Sequence, residues 1–166
     1  MITLVLGGAR SGKSEVAERI AVRLPAPITY LATLVPGNDP DLAARIDAHR
    51  ARRPAGWRTI EAGAELPALL RSVPGPVLLD GLGPWVAASP GMIVDTAAFR
   101  ATLAGRGADT VVVSEEVGLG VHPATEDGRR FRDALGELNQ SVAAVADEVL
   151  LVVAGRTLRL DHPGTR

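Results

Sequence analysis

With 166 residues and 46% apolar side chains, the chain is long enough to bury a substantial core, and one domain over residues 1–166 is expected. A formal net charge of −1 gives no general attraction to nucleic acid or an anionic membrane, and the lack of cysteine excludes disulfides, thiolate nucleophiles and cysteine metal sites. No apolar stretch approaches the length of a membrane span and no signal peptide is read, so a cytosolic location is expected.

The chain begins with a mostly apolar run, Ile2 to Leu6, that reads as a strand. It meets the turn Gly7-Gly8-Ala9-Arg10-Ser11-Gly12-Lys13-Ser14, after which Val16, Ala17, Ile20, Ala21 and Leu24 recur at helical spacing. Strand, G-x-x-x-x-G-K-S loop and helix together make a P-loop in its proper context. Glycines let main-chain N–H groups turn inward on phosphate oxygens, and the new helix presents its positive end to the same anion. Lys13, the only lysine in the chain, can span the β- and γ-phosphates, and the Ser14 hydroxyl can bind Mg²⁺.

Ile28 to Thr33 reads as the next strand. Asp39 as N-cap and Pro40 at the first helical position open a helix through about Arg53, which Pro54 stops. Leu42, Ile46 and His49 share one face of it, so spacing alone makes His49 a histidine beside a core stripe. Its neighbours Arg45, Arg50, Arg52 and Arg53 suit phosphates, however, and disfavour the imidazolium, which leaves a neutral nitrogen able to attack. Trp57 to Ala62 reads as extended, ending near Glu61, and Glu65 to Ser72 as a short helix.

Val77-Leu78-Leu79-Asp80 is a buried strand ending in a carboxylate placed to hold Mg²⁺ directly or through water. Gly81 to Gly91 reads as a glycine- and proline-rich loop, and Ile93 to Ala104 as a helix. Thr110 to Ser114 is a buried strand ending at Glu115-Glu116, which point opposite ways if the strand continues, so at most one of them enters the site. Thr125 is the N-cap of a long helix to about Ala146, and Val149–Val153 and Thr157–Leu160 form a terminal hairpin. His122 and His162 read as incidental. Alternating β and α with nearly all-apolar strands predicts an α/β fold, a mainly parallel sheet with helices on both faces and an antiparallel C-terminal edge. Its ligands belong beyond the carboxyl ends of the strands.

The blocks GGARSGKS, YLAT, DPDLAARIDAHRARRPAGWRTIEA, VLLDG and VVVSEEVGLGVHP, in this order and spacing, resemble the bifunctional adenosylcobinamide kinase / adenosylcobinamide-phosphate guanylyltransferase family over nearly the whole chain. The resemblance implies a RecA-like P-loop fold, a homotrimer, and corrinoid assembly in the cytosol. It implies phosphorylation of adenosylcobinamide by a nucleoside triphosphate, ATP or GTP, then transfer of GMP from GTP through a GMP-histidine intermediate at the position of His49. It also implies guanine-nucleotide contacts from Gly7 to Ser14, from Ala32, Thr33 and Leu34, from Arg50, Ala51, Arg52 and Arg53, and from Glu61 and Asp80.

Some relatives carry a second histidine just before the matching one, where this chain has Ala48. Glu115-Glu116 stands where relatives tend to show Asn-Glu, and Gly81-Leu82-Gly83-Pro84 replaces a usually polar, cysteine-containing turn. Kinase chemistry attacks the γ-phosphorus and guanylylation the α-phosphorus, so the His49 helix or the nucleotide is expected to reposition between steps. The competing readings are a P-loop small-molecule kinase without nucleotidyl transfer and a non-enzymatic nucleotide-binding regulator.

Overall fold

The computed structural model describes residues 1–34, 50–51 and 53–162. The sheet strands are β1 (Ile2–Gly7), β2 (Thr29–Ala32), β3 (Arg58–Glu61), β4 (Val77–Asp80), β5 (Thr110–Glu115), β6 (Glu148–Val153) and β7 (Arg156–Arg159). The helices are α1 (Lys13–Ala21), α2 (Leu66–Ser72), α3 (Leu82–Ala88), α4 (Thr96–Ala104) and α5 (Glu126–Ala143). Among the described residues the strands form one sheet in the order β3-β2-β4-β5-β1-β6-β7. Every pairing from β3 to β6 is parallel, and only β7 runs antiparallel, against β6.

Period-two alternation divides the strands between two cores. Leu4, Leu31, Leu79 and Val112 face α2, α3, α4 and α5, whereas Val5, Tyr30, Leu78, Val111 and Val113 face α1. Both faces are covered, which is why the central strands β1, β4 and β5 are largely apolar, whereas the edge strands β3 and β7 carry exposed arginines. In this RecA-like arrangement β5 lies between β1 and β4, so Gly7, Glu115 and Asp80 end neighbouring strands on one side of the sheet.

Two expectations need correction. Gly81 to Gly91 is not a loop: it contains α3 and a 3₁₀ turn, Pro90–Met92. Its apparent helix breakers fall where a helix tolerates them. Gly81 takes a positive φ of 100° at the N-cap, and Gly83 and Pro84 occupy the first turn, whose N–H groups have no intrahelical acceptor. Leu82, Trp85 and Val86 then bury one face. The following helix starts at Thr96 rather than Ile93, because the Asp95 carboxylate accepts from Ala98 N at 2.8 Å and caps it there.

Smaller differences are of the same kind. The long helix has the expected Thr125 cap, whose hydroxyl accepts from Gly128 N, but it ends at Ala143. The expected 39–53 helix, with Asp39, Pro40, Arg45 and His49, lies outside the described residues, as does Arg52; only Arg50, Ala51 and Arg53 of its C-terminal part are described.

Arg106 ties the far end of the sheet together. Its Nη1 donates to Leu70 O and to Val73 O at 3.1 Å, Nη2 to Gly75 O at 2.7 Å, and Nε to Thr110 Oγ1 at 3.0 Å. Partial burial lowers its pKa from the ordinary arginine value without uncharging it. Arg106→Met should destabilise the fold by about 2 kcal/mol, because carbonyls of the α2–β4 connection lose a charged donor. Arg106→Lys should recover little of this, since an ammonium cannot reproduce the planar fork. Urea unfolding midpoints check both, and a lysine variant as stable as the unaltered chain would contradict this account.

Candidate active site

The loop between β1 and α1 is held in shape by its own backbone. Gly12 has φ 91°, a left-handed conformation in which it ends the turn and starts the helix, and Val16 N donates to Gly12 O at 3.0 Å. A Cβ on Gly7 would stand 2.8 Å from Val152 O and collide with Ser11, so the close passage of the loop beneath β6 requires glycine. The loop is braced from behind by the β6–β7 turn, where Gly155 N donates to Ser11 O at 2.8 Å. Ala154 and Gly155 both have positive φ, as a two-residue hairpin turn of this hand demands.

Beyond the strand ends lies a cavity of about 340 Å³. Its floor and walls include Arg10, Ser11, Gly12, Lys13 and Ser14 of the loop, Tyr30, Ala32 and Leu34 from β2 and its exit, and Arg53, Asp80, Pro84 and Glu115. Lys13 Nζ lies 3.4 Å from Gly8 O and 3.7 Å from Glu115 Oε1. Ser14 Oγ donates to Asp80 Oδ1 at 3.1 Å, and the Tyr30 hydroxyl donates to Asp80 Oδ2. Thr33 sits under the wall, its single hydroxyl proton shared between Asp80 O, at 3.0 Å, and Gly81 O.

Burial first, and the Asp80 charge second, hold the Tyr30 hydroxyl above the ordinary tyrosine range despite the opposing effect of Arg53, so the phenol stays a neutral donor. The Arg53 guanidinium stacks 3.5 Å from the centroid of the same ring.

The two glutamates diverge as the strand period requires. Glu115 faces the cavity, and its Oε2 accepts from Gly83 N at 2.9 Å. Glu116 accepts from Gly118 N and lines a separate groove beside α5. Glu61 and Arg50 pair at 2.9 Å outside the cavity lining, and exposed Ala51 also lies outside that lining. His122 takes a hydrogen bond of 2.8 Å with Arg132 on α5, and His162 borders the α5 groove.

Neither Tyr30 nor the Gly155 brace has a signal in the sequence. Tyr30 is an ordinary aromatic strand residue until strand register sets it beside Asp80.

The residues present suit Mg²⁺ carried by a nucleotide. Ser14 and Asp80 converge as hard oxygen donors next to Lys13, while no group of three or more His, Cys, Asp or Glu forms a cage among the described residues. Mg²⁺ typically takes one or two protein ligands and completes its shell with phosphate and water.

A glycine-rich loop at a helix N-terminus, a lysine in it and an acid ending a nearby strand define a P-loop nucleotide-binding α/β protein. The chain belongs to the cobinamide kinase / cobinamide phosphate guanyltransferase family, whose match covers residues 3–160. It is 39% identical over 169 residues to the bifunctional adenosylcobalamin biosynthesis protein CobP of Pseudomonas aeruginosa, covering 96% of this chain and 97% of that protein. It is 37% identical over 177 residues to the bifunctional adenosylcobalamin biosynthesis protein CobU of Salmonella typhimurium, covering 93% and 97%.

Solved structures agree on the fold alone. The flagellar accessory protein FlaH of Methanocaldococcus jannaschii aligns at TM-score 0.52 and 14% identity, over 97% of this chain and 78% of that one. A Pyrococcus horikoshii OT3 protein aligns at 0.54 and 11% identity, over 99% and 87%.

The start of α3 and the end of β5 meet in space. A Cβ at position 83 would stand 2.3 Å from Glu115 Oε2, the end of the flexible side chain that accepts from Gly83 N, and that carboxylate would have to shift. Among the described residues, no helix is long and apolar enough to cross a membrane.

Proposed function

We propose that this chain, acting as a single catalytic domain, phosphorylates adenosylcobinamide and then transfers GMP to the product, giving adenosylcobinamide-GDP. The observation that carries the reading is the cavity in which Lys13, Ser14, Asp80 and Arg53 converge, in a chain whose family is described by both activities. In the kinase step the loop N–H groups and Lys13 hold the nucleoside triphosphate, ATP or GTP, so that the aminopropanol hydroxyl attacks the γ-phosphorus and the bond to the β-phosphate oxygen breaks. Ser14 and Asp80 would hold Mg²⁺, which when bound neutralises phosphate charge.

In the second step a ring nitrogen of His49 attacks the α-phosphorus of GTP, pyrophosphate leaves, and a P–N bond to GMP remains. An oxygen of adenosylcobinamide phosphate then attacks that phosphorus and displaces the imidazole. Splitting the displacement in two suits a nucleophile flanked by arginines, which stabilise the charge of the departing pyrophosphate. Because the two steps require different phosphorus atoms, the segment bearing His49 or the nucleotide moves between them. The family resemblance supports a homotrimer and a cytosolic location as part of this reading.

Mass spectrometry after incubation with GTP and Mg²⁺ tests it. The expected result is one GMP added to the peptide carrying His49. A protein that turns over the kinase reaction yet never gains GMP, at any corrinoid phosphate concentration, would sink the guanylyltransferase half.

A further inference from the structure

We infer that Tyr30 is a positioning residue of the nucleotide cavity, its hydroxyl orienting Asp80 and its ring seating Arg53. The inference deepens the nucleotide site of the proposed function and needs neither the corrinoid nor guanylyl transfer.

Register explains the first contact. Tyr30 pairs with Leu78 across β2 and β4, and Asp80 is the next residue on the same face, so only a long side chain at position 30 reaches forward to it. The phenol does so from a position 1% exposed, donating to Asp80 Oδ2 while Ser14 Oγ donates to Oδ1. Two donors on different oxygens fix the rotation of the carboxylate, and turning it would break both bonds. The Thr33 bond to Asp80 O holds the backbone beneath at 3.0 Å.

The second contact uses the face of the ring. Arg53 lies 3.5 Å from its centroid, with Nη1 donating to Thr59 Oγ1 at 3.1 Å, and Trp57 packs on the ring with centroids 6.3 Å apart. Arg53 thus reaches the cavity from a fixed platform, and that platform is the side chain that also sets the Asp80 carboxylate.

The two contacts separate by substitution. Tyr30→Phe keeps the platform and deletes the bond, whereas Tyr30→Leu deletes both. Affinity for a fluorescent GTP analogue is measured in Mg²⁺ and in EDTA. Tyr30→Phe should weaken binding about tenfold in Mg²⁺, raise the half-saturating Mg²⁺ concentration by a similar factor, and leave binding in EDTA unchanged. Tyr30→Leu should add a loss of about tenfold in both conditions, the scale of a desolvated cation–π contact.

Circular dichroism verifies that each variant folds. Should Tyr30→Leu fail to fold, Arg53→Gln replaces it and should weaken binding equally in both conditions. A Tyr30→Phe protein that binds normally in Mg²⁺, or loses affinity equally in Mg²⁺ and EDTA, overturns the role of the hydroxyl. A Tyr30→Leu protein indistinguishable from Tyr30→Phe, or an Arg53→Gln protein that binds normally, overturns the platform. If the unaltered chain did not bind the analogue at all, the nucleotide reading itself would fall, a result distinct from binding that ignores position 30.

Discussion

His49→Ala should form no GMP–protein adduct and should lose guanylyl transfer by at least about four orders of magnitude, the scale seen when a covalent nucleophile is removed. Its kinase reaction should continue at close to the unaltered rate, because attack at the γ-phosphorus uses the substrate hydroxyl and the P-loop rather than an imidazole. Incubation with α-labelled GTP, followed by denaturing electrophoresis, reads the first effect, and label that is acid-labile and base-stable marks a P–N bond. Phosphorylation of adenosylcobinamide by γ-labelled nucleotide reads the second. Persistent α-label on the alanine variant would move the nucleophile elsewhere. Simultaneous loss of both activities would show that position 49 serves the nucleotide site generally.

Lys13→Ala should cut kcat/KM of the kinase reaction by about 10²–10³, the usual cost of removing one preorganised positive donor from a developing phosphoryl charge. The GMP adduct should also form more slowly, since the same triphosphate is gripped in both steps. The two variants therefore have different signatures: position 13 affects both reactions and position 49 one.

The structure adds a reason to expect an intact fold. Lys13 contacts Gly8 O and Glu115 at the cavity wall and belongs to neither hydrophobic cluster, so its loss enlarges the cavity rather than opening a void in the core. Thermal melting of the variant should match the unaltered chain, and unimpaired phosphoryl transfer by Lys13→Ala would remove the P-loop from the mechanism.

Local features were readable because their causes are local. The P-loop announces itself through glycines and a lysine within eight consecutive residues, and the Thr125 cap through its own bond to Gly128 N. Alternation placed Glu115 and Glu116 on opposite faces, although it could not say which face held the cavity. Segments rich in glycine and proline were misread where position within a helix mattered more than composition, as in α3, whose Gly83 and Pro84 lie in the one turn that needs no hydrogen-bonded N–H. Asp95 shifted the start of α4 for a similar reason, a side-chain cap outranking an apolar residue upstream.

By itself, the sequence determined the nucleotide-binding loop, the alternating α/β order and the acid at the end of β4, because each is written in neighbouring residues and in the period of the strands. Tertiary structure alone decided that Tyr30 bonds to Asp80 from 50 residues away, that Gly155 braces Ser11, and that Glu115 rather than Glu116 faces Lys13. These pairings depend on strand order and register, which follow from how the whole core packs. A one-residue slip of its strand would turn Tyr30 or Glu115 to the other face.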